Sequence, residues 1–213
     1  MSIRKDYIEN PSSKLKEKHV LILCAHEFED VELLYPILRL SEEGAKVSVG
    51  VVSLKGPGFH TRPWWAEKPI TGRFGTTVPI VVMGEGVRYN IIEISQAKPE
   101  DYDAVIIPGG FAPDFLRCDK NTLKLVADMY KMGKIVAAIC HGPQVFISVD
   151  RNFGTDIIKG RKVTCWDAIV DDIINAGGDF EPLPARRDGN VITGRVPDSL
   201  PQFTQAIIEA LSE

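Results

Sequence analysis

Lys134 to Gln144 reads Lys-Ile-Val-Ala-Ala-Ile-Cys-His-Gly-Pro-Gln, and it limits the fold more tightly than any other stretch. The apolar run Ile135 to Ile139 predicts a strand buried on both faces. Gly142-Pro143, followed by Gln144-Val145-Phe146-Ile147, predicts the opening turn of a helix, because proline at the first helical position loses no hydrogen bond. Cys140 therefore falls on a sharp strand-to-helix corner. Small neighbours at Ala138 and Gly142 suit a nucleophile elbow, where backbone approaches backbone. The following helix aims unpaired N–H groups and the positive end of its dipole at the sulfur. That favours thiolate, the form that attacks carbonyl carbon. A strand-terminal cysteine in isolation is more simply a buried structural one; the Ala-x-Cys-His-Gly-Pro setting points to the nucleophile.

Apolar runs alternate with helical periods along the rest of the chain. His19 to Ala25, Lys46 to Val52 and Tyr102 to Ile107 predict strands, while Val31 to Leu40 and Asn121 to Tyr130 carry helical spacing. Beyond the elbow come a short strand at Arg161 to Trp166, a helix from Ala168 to Ala176, a strand at Asn190 to Arg195 and a closing helix from Ser199 to Leu211. This order predicts an α/β fold, a doubly wound parallel sheet with right-handed crossovers. Val78 to Val82 and Val87 to Ile94, around Gly84-Glu85-Gly86, predict a small β-hairpin appended to it. Between Gly56 and Trp65 two prolines and two glycines exclude a long regular element. Trp64 and Trp65 then serve either a lid or the cover of a sheet edge or subunit contact, and the directions of His60 and Arg62 stay open.

With 213 residues, 44% of them hydrophobic, the chain suffices for one sizeable domain, taken as 19–213 behind a polar arm at 1–18. The arm has no apolar core for a signal peptide or membrane span. A net charge of -4 with interspersed signs offers no basic stripe, so nucleic acid is not an expected partner. Cys24, Cys118, Cys140 and Cys165 lack close paired spacing, and His19, His26, His60 and His141 lack i, i+4 spacing, which argues against a disulfide framework and a metal site. A reducing cytoplasm fits. No phosphate loop or dinucleotide fingerprint follows the first strand, and no cofactor is expected.

Two further segments bear on the site. Glu27 lies at the carboxyl end of the first strand, where open parallel sheets place ligands; the alternative is stabilisation of the helix N-terminus, which Glu29, Asp30 and Glu32 already supply. Tandem Gly109-Gly110 at the end of another strand allow backbone N–H groups to turn toward a ligand, with Gly110 and His141 forming an oxyanion hole; otherwise the segment is a plain turn.

Ala138 to Gln144, together with Glu27-Phe28-Glu29-Asp30-Val31-Glu32 and Pro108-Gly109-Gly110-Phe111-Ala112-Pro113, resembles the ThiJ/PfpI superfamily. That group comprises intracellular cysteine peptidases, cofactor-independent glyoxalases, protein deglycases and small stress chaperones. The likeness runs from about His19 to the C-terminus and implies a flavodoxin-like fold close to class I glutamine amidotransferases. It implies that Glu27 hydrogen-bonds the nucleophilic sulfur; a carboxyl in such a place has a raised pKa and works as general acid or base. Asp114 stands where peptidase-like members carry glutamate, and the resemblance suggests that this acid reaches His141 from a neighbouring subunit. Adjacent residues at a corner diverge, so His141 is either a helper at one remove or a satisfied structural histidine. The expected activity is addition of Cys140 to a small 2-oxoaldehyde or glycated substrate. Amide or peptide hydrolysis is the alternative enzyme reading, and a redox sensor or holdase the alternative outside enzymes. A homo-oligomer, dimer or higher, is expected.

Overall fold

The computed structural model describes residues 14–52, 69–80 and 89–213. In chain order these form β1 (His19–Cys24), α1 (Asp30–Glu42), β2 (Lys46–Val51), β3 (Ile70–Thr71), β4 (Thr77–Val78), β5 (Asn90–Glu93), β6 (Ala104–Ile107), α2 (Ala112–Leu116), α3 (Lys120–Lys131) and β7 (Ile135–Ile139). There follow α4 (Pro143–Phe153), β8 (Lys162–Val163), α5 (Val170–Asn175), β9 (Asp179–Phe180), β10 (Ala185–Asp188), β11 (Val191–Gly194) and α6 (Leu200–Ser212).

Seven strands make the central sheet in the order β10-β11-β7-β6-β1-β2-β5. All neighbours run parallel except the edge pair β10 and β11. The three central strands β1, β6 and β7 are buried along almost their whole length, as continuous apolar runs covered on both faces must be. From β1 the chain crosses to β2 on one side, whereas β6 and β7 lie on the other, so the order reverses between β1 and β6. A crevice opens at the carboxyl ends of strands at such a point. Cys24, Ile107 and Ile139 end there.

The α/β expectation holds, with two local findings that differ from it and one set of readings that falls outside the described residues. First, the two arms expected to pair as a hairpin do not pair within the described residues: Thr77–Val78 joins Ile70–Thr71 in an antiparallel ribbon, and Asn90–Glu93 enters the main sheet parallel to β2. A four-residue apolar segment carries no mark of its partner, and β2 offered a free edge. Second, packing begins before residue 19. Leu15 is fully buried and its N–H donates to the Glu43 carbonyl at 2.9 Å, so the end of the polar arm is docked. Third, the arm's first residues, the Gly56–Trp65 window and the proposed turn at Gly84-Glu85-Gly86 lie outside the described residues.

Candidate active site

Cys140 follows β7 with φ 60, a left-handed conformation that costs a non-glycine residue energy and is held only where its surroundings over-determine it. Both backbone groups are pinned. Its N–H donates to the Gly194 carbonyl at 3.0 Å, and its carbonyl accepts from the Trp166 N–H at 3.1 Å. The side chain is 7% exposed. The turn brings the His141 ring to the sulfur after all, with Nδ1 3.4 Å from Sγ. The N–H groups of Gly110 and His141 also reach the sulfur, and both favour its ionised form.

The acid at the sulfur is Glu32 rather than Glu27. Glu32 is fully buried on the inner face of α1, where it shares the stripe of Pro36 and Leu40 at i+4 and i+8. Its Oε2 accepts the Gly109 N–H at 2.6 Å, and the carboxyl and the Cys140 thiol act on each other's protonation. Glu27 does something else. At φ 63 its backbone makes a joint: its N–H donates to Thr71 and its carbonyl accepts from Phe111, both at 2.8 Å. Its half-exposed side chain has no hydrogen-bond or ionic partner among the described residues.

The glycine pair divides its labour. Gly109 spends its N–H on Glu32, so it orients the acid, and the N–H groups that face the sulfur are those of Gly110 and His141. A Cβ at Gly109 would lie 2.7 Å from the Cys140 Cβ and 2.8 Å from Glu32 Oε2. Gly110 has φ 70, and a Cβ there would come within 2.4 Å of the Glu27 carbonyl oxygen. Only glycine fits either place.

Burial is the largest influence on both reacting groups. It raises the Glu32 carboxyl to about 7, against which the Gly109 N–H pulls down. It pushes the Cys140 thiol up to about 12, reinforced by the Glu32 charge and opposed by the Gly110 and His141 N–H groups. Desolvation thus opposes the thiolate that the helix N-terminus is expected to favour, and outweighs the two N–H groups. Burial also holds His141 below its ordinary value; Arg73 adds to this and Asp114 opposes it. The imidazole is thus neutral at physiological pH and free to accept a proton.

Asp114 is exposed in the first turn of α2, and its charge reaches His141 within the same chain. Arg73, on the turn joining β3 to β4, was not singled out from the sequence, because nothing local shows that this turn folds over the site. Its Nη1 donates to Glu29 Oε2 at 3.0 Å, and its guanidinium lies 5.2 Å from the Phe111 ring centre. Among the described residues no group of three or more His, Cys, Asp or Glu is placed to hold a metal, and no helix is long and apolar enough to cross a membrane.

A buried cysteine at positive φ, a buried acid coupled to it and two N–H groups directed at the sulfur make a site in which a thiol and a carboxyl can share one proton. Known proteins share this chain's sequence over most of its length. A deglycase of Pyrococcus abyssi is 37% identical over 192 residues, covering 90% of this chain and 98% of its own. YraA of Bacillus subtilis, provisionally named a cysteine protease, is 33% identical over 194 residues, covering 91% and 98%. Among solved structures, a two-domain protein of Anabaena variabilis with DJ-1/ThiJ/PfpI-like and ferritin-like domains superposes with a TM-score of 0.74 at 34% identity; the match covers 91% of this chain and 50% of that one. The sequence pattern of the DJ-1/PfpI family matches residues 18–210, and the chain belongs to that family.

Proposed function

We propose that this protein is a cofactor-independent cysteine enzyme that converts 2-oxoaldehydes, free or carried as adducts on thiols and amines, into 2-hydroxy acids. The observation that carries this reading is the fully buried Glu32 carboxyl, oriented by the Gly109 N–H, coupled to Cys140 and raised to about 7, where a carboxyl both gives and takes protons at neutral pH. An adduct first gives up its carrier, the hydroxyl proton passing to the departing thiol or amine as the aldehyde reforms; the sulfur then adds to the aldehyde carbon and the thiol proton passes to the carbonyl oxygen, beside the Gly110 and His141 N–H groups. Glu32 or His141 then takes the proton from that carbon and returns it at the neighbouring carbon. The hemithioacetal becomes the thioester of a 2-hydroxy acid. No outside electron acceptor is needed, because one carbon is oxidised as its neighbour is reduced. Water cleaves the thioester, releasing the acid and restoring the thiol.

Deglycase names among the relatives support this chemistry, and the free state of all four cysteines suits a reducing cytoplasm. Amide hydrolysis is the second reading. It draws on the same N–H pair, on the Asp114 charge facing His141 and on the name of the Bacillus subtilis relative. Lactate formed from methylglyoxal is the deciding measurement. Cys140→Ser is expected to abolish turnover, and Glu32→Gln to lower it by roughly two to four decades. Glu27→Gln should stay close to wild type. Wild-type rates in Glu32→Gln would refute the proton-transfer role. Absence of any turnover of aldehyde, adduct, amide or peptide would leave the redox-sensor or holdase class.

A further inference from the structure

The β3–β4 ribbon is tied to residues 26–30, where α1 begins, at six points, one of them the Thr71 N–H donated to His26 Nδ1 at 3.2 Å. The Glu27 N–H donates to Thr71 at 2.8 Å and the Arg73 N–H to Phe28 at 3.0 Å. The Phe74 and Thr76 N–H groups donate to the two oxygens of Asp30 at 2.9 and 2.8 Å, and Arg73 Nη1 to Glu29 at 3.0 Å. Asp30 is packed so closely that a Cβ at Gly72 would lie 2.5 Å from its Oδ2. Arg73 is consequently delivered to one place, with its guanidinium 5.2 Å from the centre of Phe111, whose ring is 6.4 Å from that of His141.

Among the described residues only one edge of that guanidinium is occupied. Its side chain is 40% exposed, and among the described residues Nε and Nη2 have no hydrogen-bond partner. An arginine braced by a carboxylate on one edge and laid against an aromatic face keeps its remaining donors in a fixed fork, which matches a carboxylate. Its charge is felt at both proton-handling groups, Glu32 and His141. Asp114, on the α2 side of His141, repels an anion there and leaves the Arg73 side as the place for one.

We propose that Arg73 selects substrates carrying a carboxylate near the reactive carbonyl, and holds that carboxylate while the carrier thiol leaves and Cys140 takes its place on the aldehyde carbon. This deepens the carbonyl reading above and rests on it for the chemistry, though not for the anion site itself.

Two adducts that differ only in the carboxylate test it: the hemithioacetals of methylglyoxal with N-acetylcysteine and with N-acetylcysteine amide. Wild type is expected to favour the acid by about tenfold in kcat/KM, the worth of one charge-assisted contact at a partly exposed rim. Arg73→Gln should bring that ratio to about one, and Arg73→Lys, which keeps the charge without the fork, should fall between. A second arm needs no turnover. In Cys140→Ala, NMR titration with N-acetylalanine and N-acetylalanine amide should show tighter binding of the acid, a preference lost when Arg73→Gln is added. A ratio that Arg73→Gln leaves unmoved in both arms overturns the proposal while the carbonyl reading stands. Absent turnover with an affinity ratio that still depends on Arg73 overturns the carbonyl reading and keeps the anion site.

Discussion

Between about pH 7 and pH 12 the pair Glu32 and Cys140 holds a single proton. On the sulfur that proton gives an inert thiol beside a buried carboxylate; on the carboxyl it gives a nucleophilic thiolate that accepts hydrogen bonds from Glu32, Gly110 and His141. In the proposed mechanism the site works by moving this proton, and desolvation of the resting pair belongs to it. Desolvation also has a thermodynamic consequence. The Glu32 pKa is about 7 in the folded chain against an ordinary 4.5, so the folded state binds more protons than the unfolded one between these values. The group therefore costs nothing below about pH 4.5, and its cost grows as pH rises through 7. At pH 8 it amounts to about 3 kcal/mol, because each tenfold difference in proton affinity between folded and unfolded chain is worth about 1.4 kcal/mol. Glu32→Gln is expected to be more stable than wild type at pH 8 by that order, with the difference vanishing near pH 4.5. Urea unfolding at both pH values measures it, and parallel stability curves would rule the buried carboxylate out.

The ribbon of β3 and β4 shows how an element of four paired residues shapes the site through what it is tied to. Asp30 accepts two of its backbone N–H groups, each a charge-assisted bond worth about 1.5 to 3 kcal/mol. In Asp30→Ala the sheet should stay folded while the 72–76 turn loosens. Hydrogen exchange at the Phe74 and Thr76 amides should then accelerate at least tenfold, and the preference for carboxylated adducts should fall as in Arg73→Gln. Unchanged protection of these amides would mean that the ribbon is held by other contacts. None of this was visible in Ile70 to Val78 as a string, because its order comes from a partner some 45 residues earlier. The opposite is true of β1, β6 and β7, whose unbroken apolar runs announce strands covered on both faces. β10, Ala-Arg-Arg-Asp, escaped notice because an edge strand pairing antiparallel with β11 needs no apolar face. The acid was legible and misassigned. Three glutamates crowd the segment from Glu27 to Glu32, but only Glu32 falls on the helical stripe of Pro36 and Leu40, and a charge on a buried stripe marks a group with work to do.

For the molecule as a unit, the open question is what covers the outer face of α1 and whether Asp114 serves its own chain. Val31 and Leu38 are 45% and 44% exposed, and Leu34 and Tyr35 are half-buried against the edge of the core, which leaves a partly exposed apolar stripe at i, i+3, i+4 and i+7. Two copies related by a two-fold axis could bury this stripe against itself, because an isologous contact needs only one self-complementary patch. Sedimentation at micromolar concentration is expected to give a dimer or larger assembly, and Leu38→Glu a folded monomer. A wild-type monomer would refute self-association, and an intact Leu38→Glu assembly would place the contact elsewhere. The Asp114 question has its own test. Its charge reaches His141 of the same chain, so we expect it to act there and not across a subunit boundary. Mixing Cys140→Ser with Asp114→Ala under subunit exchange separates the alternatives. An acid acting in trans would restore about a quarter of wild-type activity, since half of random dimers are mixed and each mixed dimer holds one whole site. An acid acting within its own chain restores nothing beyond the residual rate of Asp114→Ala. Restoration would return Asp114 to the neighbouring subunit's site and make the assembly part of the catalytic apparatus.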